Sequence, residues 1–272
     1  MDLSNNSKTL FIPLISKANM SKNGIFINDK KAEEIINSIN DENKNLKVSK
    51  WLSLYMSLRA TIFDNLCNNF LKENKDALIF HVGCGLDSRM NRIKEEYYKW
   101  YDIDLKPVIE LRKKFFTENE KYKMISSSIS DKKWLEENIS EEDTLKPVLI
   151  IAEGVTMYLS DEELKEFIEN MKSKFKKVKF IFDAYSKKAC KFSKYKNPVN
   201  EVNAKITWGI DTPEEFKKIT RGIEYDDTYF IYDEEKINSL KGLEKYIFKY
   251  IFAGKISEKI NRIYSFDIIN RK

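Results

Sequence analysis

Histidine is almost missing from this chain: His81 is the only one in 272 residues. A zinc site built on two or three histidines is thereby excluded, and any histidine-based triad has to run through His81. Cysteine is scarce as well. Cys67, Cys84 and Cys190 lie far apart and form neither a CxxC pair nor a disulfide set, so they read as small buried thiols, and no metal site is expected. No apolar run approaches the roughly 18 residues of a membrane span, and the early "LFIPLI" is too short for a signal-peptide core. A cytoplasmic chain with no membrane partner is expected. Positive charge is not blocked either. The lysines are scattered among Asp, Glu and Asn, and the net charge is only +5, which points to a solvated surface and to no nucleic-acid partner.

What is present suffices for a real core, with 42% hydrophobic and 13% aromatic residues. In 29–41, Ala32, Ile35, Ile36 and Ile39 share one helical face; from Ser49 to Leu71, Trp51, Leu54, Tyr55, Leu58, Ile62, Leu66 and Phe70 do the same. The piece before them, "TLFIPLISKAN", is expected to be extended because Pro13 disfavours a regular helix. From Ala77 the texture changes. "ALIFHV", "KWYDID", "KYKMISSSI", "PVLIIAEG" and "VKFIFDAYS" read as strands separated by helical patterns. One of those, "SDEELKEFIENMKSKF", opens with a capping box of Ser160 and Glu163. Such alternation implies a parallel sheet covered on both faces. Two further strands are expected, near Tyr229 to Tyr232 and Asn261 to Ile269, with helix-prone sequence between them. No internal repeat and no flexible linker is visible. A single domain over 1–272 is expected, with a helical cap over 1–75 and a core over 76–272.

Open sheets of this kind bind ligands at the carboxyl ends of their strands. Those ends carry Gly83 and Gly85, then Asp102 and Asp104, Ser127–Asp131, Glu153 and Asp183. Glycines at the first turn let a ligand approach the backbone. Asp104, about twenty residues on, is placed to accept hydrogen bonds from both ribose hydroxyls of an adenosine. Asp102 lies two positions earlier on the same face of the strand. The third glycine of a dinucleotide fingerprint is absent, since Ser88 stands there, and a ring of carboxylates disfavours a pyrophosphate. A cationic adenosine cofactor suits the acidic ends better, and S-adenosylmethionine fits that description. A nicotinamide-dependent oxidoreductase and a non-catalytic relative remain as rival readings.

The series "TLFIPLISKAN", "LSLYMSLRATIFDN", "HVGCGLDSRMNRI", "WYDIDLKPVIELRKKFF", "AEGVTMYLSDEELKEFI", "FDAYS" and "WGIDTPEEF" resembles the leucine carboxyl methyltransferase family, in particular its bacterial polyketide carboxyl O-methyltransferases. The resemblance implies a Rossmann-like class I methyltransferase fold: an α/β, mostly parallel seven-stranded sheet with an antiparallel last strand, plus an N-terminal helical lid. It implies an S-adenosylmethionine-dependent O-methyltransferase that converts a small-molecule carboxylate to its methyl ester, with a hydroxyl acceptor as the alternative. Gly83, with Gly85, would lie beneath the cofactor, Asp104 on its ribose, and Ser128 and Asp131 near its adenine. Glu153 would face the methionine amino group. Arg59 would contact the methionine carboxylate or that of the acceptor, Lys17 would reach the cofactor carboxylate from the lid, and Tyr158 would face the acceptor. The partner implied is a small-molecule carboxylate or hydroxyl acceptor, with oligomeric state open. A variable segment, about 187–225, is expected to shape its site.

Overall fold

A computed structural model describes residues 10–39, 46–193 and 206–271. Among these, three helices come first: α1 (Phe11–Lys22), α2 (Lys30–Ser38) and α3 (Lys50–Glu73). The strand-helix alternation follows. It comprises β1 (Leu78–Val82), α4 (Arg89–Arg92), β2 (Lys99–Asp104), α5 (Lys106–Arg112), β3 (Tyr122–Ser126), α6 (Lys133–Asn138), β4 (Val148–Ala152), α7 (Asp161–Lys174) and β5 (Lys177–Tyr185). β6 (Ile223–Tyr229) and β7 (Asn261–Ile269) complete a seven-stranded sheet in the order β3-β2-β1-β4-β5-β7-β6.

Strands β1 to β5 pair in parallel, whereas β7 runs antiparallel to both β5 and β6. β1 and β4 are buried at every position, which is why they read as unbroken apolar runs. Alternation sorts their side chains between two layers. Leu78, Phe80 and Val82 pack with Leu164, Phe167 and Met171 of α7. Ile79 faces the opposite layer, with Leu54 and Leu58 of α3 and Phe11 and Leu14 of α1. The N-terminal helices therefore cover one sheet face as well as overhanging its edge. Both halves of the capping box on α7 are formed, Ser160 Oγ accepting from Glu163 N and Glu163 from Ser160 N.

Three local expectations are corrected. The lead-in around Pro13 is helical, because Pro13 is only the third residue of α1, where a backbone N–H would have no acceptor within the helix. The strand expected near Tyr229 to Tyr232 is β6, which ends at Tyr229; it is a solvent-exposed edge strand, so no apolar alternation marks it. The helix-prone tail breaks into Glu234–Asn238 and, after Gly242, Leu243–Ile247 running directly into Phe248–Phe252. Of the variable segment 187–225, residues 194–205 lie outside the described residues. Among those described, no helix is long and apolar enough to cross a membrane.

Candidate active site

β1 neighbours β2 on one side and β4 on the other, so a crevice opens at their carboxyl ends where the chain changes direction. A cavity of about 730 Å³ lies there. Gly83, Gly85, Asp104, Ser128 and Glu153 line it from the sheet edge, Lys17 and Arg59 from α1 and α3, and Tyr158 from the turn before α7. Eight of the nine residues given a role by the family resemblance thus share one cavity. Asp131 does not: it is exposed and accepts from Lys133 N at the start of α6.

The floor is built by conformation. Gly83 has φ +59°, and a Cβ there would stand 2.3 Å from Val155 Cγ2. Only glycine combines that backbone with that contact. Asp104 Oδ2 accepts from Gly85 N at 2.8 Å and Oδ1 from Leu105 N at 2.7 Å, which locks its carboxylate at the cavity rim. Burial outweighs these two donors and raises its pKa above the usual carboxylate value.

The far wall is ionic. Arg59 Nε donates to Glu153 Oε1 at 2.9 Å and Nη1 to Asp183 Oδ2 at 3.0 Å, all three side chains being almost wholly buried. Its Nη2 has no hydrogen-bond partner among the described residues, so one edge of the guanidinium remains available. Glu153 also accepts from Arg89 Nη2. Although burial works against its charge, Arg59 and Arg89 hold its carboxyl below the ordinary range. Asp183 accepts in addition from Gly154 N at 2.6 Å and Asn261 Nδ2 at 3.1 Å. Lys17 is paired with Asp87 at 2.8 Å, and Asp87 is held as well by Arg92 and Arg89. Burial resists its charge too, but Arg92 and Lys17 keep Asp87 ionised well below its usual range.

Asp87, Arg89 and Arg92 received no role in the sequence reading, although they fall in the quoted "GLDSRMNR". The available signal was three charges opening a helix beside an apolar strand. Asp183 was visible as a strand-end acid, but nothing local tied it to Arg59, 124 positions away.

The remaining candidates divide by what already holds them. Tyr158 is 38% exposed, and the burial of its hydroxyl end, with Tyr185 nearby, pushes its phenol up to about 12. His81 touches the cavity, but its Nδ1 lies 3.1 Å from Asp102 Oδ1. Asp102 faces inward rather than into the cavity and accepts also from Trp100 Nε1, Tyr122 Oη and Arg112. Burial opposes its charge, yet Arg112 and these donors bring it to about 2. Burial raises the Cys84 thiol well above its usual value, which leaves no thiolate nucleophile. No cluster of three or more potential metal ligands occurs among the described residues.

Comparison with known proteins supplies a second line. A family model described as leucine carboxyl methyltransferase matches residues 11–172. The chain is 27% identical over 225 residues to the tetracenomycin polyketide synthesis O-methyltransferase TcmP of Streptomyces glaucescens, covering 81% of each. It is 25% identical over 282 residues to the S-adenosyl-L-methionine-dependent methyltransferase dpfgK of Gibberella zeae, covering 96% of this chain and 94% of that one. Two solved structures share the fold. A duf574 family protein from Streptomyces avermitilis superposes with TM-score 0.56 at 11% identity, covering 80% of this chain and 85% of that one. Magnesium protoporphyrin IX methyltransferase from Synechocystis PCC 6803 gives 0.50 at 11% identity, covering 96% and 99%.

Proposed function

The chain belongs to the leucine carboxyl methyltransferase family and is an S-adenosylmethionine-dependent methyltransferase; on that premise we propose that it methylates a carboxylate oxygen of a small molecule, giving a methyl ester. Bound in the cavity, S-adenosylmethionine supplies a methyl group on a sulfonium, open to in-line displacement.

The chemistry of the lining residues supports that cofactor. In this reading Gly83 and Gly85 let it lie against the backbone, and Asp104, already oriented by two backbone N–H groups, accepts from its ribose hydroxyls. Ser128, exposed at the rim, flanks the adenine side, and the position of Asp131 leaves it out of the first contacts. Glu153 accepts from the methionine ammonium. The free Nη2 edge of Arg59 donates to a carboxylate, and Lys17 adds positive charge from α1. Alignment of donor and acceptor by such walls contributes up to about 7–11 kcal/mol to a displacement of this kind.

The observation that supports a carboxylate acceptor is that the carboxylates beside Arg59 and Lys17 are committed as ion-pair partners. Glu153 is bound by two guanidiniums and Asp87 by three cations. Glu163 completes the cap of α7 and Asp104 is turned to the ribose in this reading, which leaves His81, held by Asp102 through Nδ1, as the one imidazole a hydroxyl acceptor would have to use. A phenol or alcohol needs its proton removed, whereas a carboxylate, with a pKa near about 4, arrives ionised. Arg59 and Tyr158 then only orient it. The test is the pH dependence of methyl transfer to paired carboxylic and phenolic acceptors. A rate flat between about pH 6 and 9 on the carboxylates supports the reading. Turnover confined to phenols, rising with their ionisation, would reject it.

A further inference from the structure

Beside the N-terminal end of α3 lies an apolar face that the catalytic reading does not use. Leu243–Ile247 and Phe248–Phe252 form one continuous helical stretch. Its Phe248 is fully buried against Phe26, and Phe252 stacks on Trp51 at 5.2 Å. The opposite side presents Leu243, Tyr246, Ile247, Tyr250 and Ile251, exposed by 78, 55, 38, 66 and 53%. These positions recur at three- and four-residue steps, so they form a single stripe. Contiguous exposed apolar surface of this kind marks an interaction site.

The charges around the stripe indicate what it meets. Between Lys241 and Lys259 the chain carries five lysines against only Glu244 and Glu258. Glu244 is engaged by Lys50, and Lys249 by Glu234. Lys241, Lys255 and Lys259 are exposed, and the short helix Lys255–Glu258 follows directly after the stripe. Two copies apposed through this face would bring like charges together, whereas an anionic surface would neutralise them. A helix face of Leu, Ile and Tyr flanked by lysines is the arrangement that lies in a membrane interface, with its apolar side among the acyl chains.

We propose that the 243–252 stretch is a peripheral docking face for an anionic lipid bilayer. The expectation of no membrane partner rested on the absence of a spanning segment, which a peripheral contact does not need. The location gives the contact a use. Trp51, which packs against the stretch, precedes the cavity residue Met56 by five positions on α3, about 7.5 Å along the helix axis. Docking here holds the cavity close to the bilayer, where an acceptor with an apolar body would be concentrated.

The test is co-sedimentation of the full chain with vesicles of phosphatidylcholine alone and of phosphatidylcholine with about 30% phosphatidylglycerol, at low and high salt. Tyr250→Glu combined with Ile251→Glu removes apolar contact at two exposed positions, and S-adenosylmethionine binding by calorimetry reports that the variant is folded. The expected result is binding to the anionic vesicles only, weakened about tenfold or more by the double substitution and by salt. Absence of binding, or equal binding to both vesicle types, overturns the proposal. A stable dimer that the same double substitution dissociates, without vesicle binding, assigns the face to a second copy and overturns it as well.

Discussion

The Arg59 guanidinium on α3 meets the Asp183 carboxylate on β5 at 3.0 Å, with the Asp183 side chain wholly buried. That pair joins the helical layer to the sheet edge and fixes which edge of the guanidinium faces the cavity. Asp183→Asn keeps the size and one acceptor but removes the charge. We expect methyl transfer to fall about 10- to 100-fold, mainly through KM for the carboxylate acceptor, as when a charge-assisted hydrogen bond is lost. Asp183→Ala, which leaves Arg59 partly uncompensated, should also destabilise the fold by about 3 kcal/mol in urea unfolding. Unchanged kinetics in the Asn variant would remove Asp183 from the positioning of Arg59.

Gly83→Ala tests the floor. The substitution forces a side chain into the left-handed region and into Val155, so a loss of about 1–3 kcal/mol in stability and weaker cofactor binding are expected. Adding Val155→Ala relieves the contact but not the backbone strain. Partial recovery of the melting temperature is the predicted outcome, and full recovery would mean that φ +59° carries no cost here.

Asp104 gives a pH signature to binding. Its raised pKa means that protonation begins at a higher pH than for an ordinary aspartate, with burial as the principal cause. Affinity for S-adenosylmethionine, measured by calorimetry, should hold at neutral pH and fall as pH drops through that raised value. Asp104→Asn should bind about 10- to 100-fold more weakly and lose the acid limb. For stability the sign is reversed: an acid with a raised folded pKa favours the fold when protonated, so this group contributes nothing to acid unfolding.

Asp102 does contribute to acid unfolding. Its folded pKa of about 2 lies below the unfolded value of 3.8. The stabilisation is therefore complete above the unfolded pKa and is lost as pH falls towards 2. Its size is on the order of 2 kcal/mol. Urea unfolding of the wild type and Asp102→Asn should show a gap that narrows by that amount from about pH 5 to about pH 2. A constant gap would place the role of Asp102 outside its charge.

Legibility in the sequence followed burial pattern and chain distance. β2 and β7 read to the residue, since short runs rich in aromatic and β-branched residues leave few alternatives. β6 was misplaced because an exposed edge strand, EYDDTY, has no apolar face to announce it. α1 was hidden by Pro13, whose effect depends on where the helix starts. Gly83, Asp104 and Glu153 were findable because strand ends are where ligands bind. The pairing of Arg59 with Asp183 was not, because it joins residues brought together only by the fold. Asp131 shows the converse: a motif position outside the cavity lining, exposed, with its carboxylate accepting from Lys133 N.

The most direct measurement uses methyl-labelled S-adenosylmethionine, purified protein and a panel of small carboxylic acids and phenols. Label should appear in products that mild base releases as methanol, the behaviour of methyl esters. Label found only in base-stable ethers, or no transfer and no cofactor binding by folded protein, would contradict the assignment of a carboxylate acceptor.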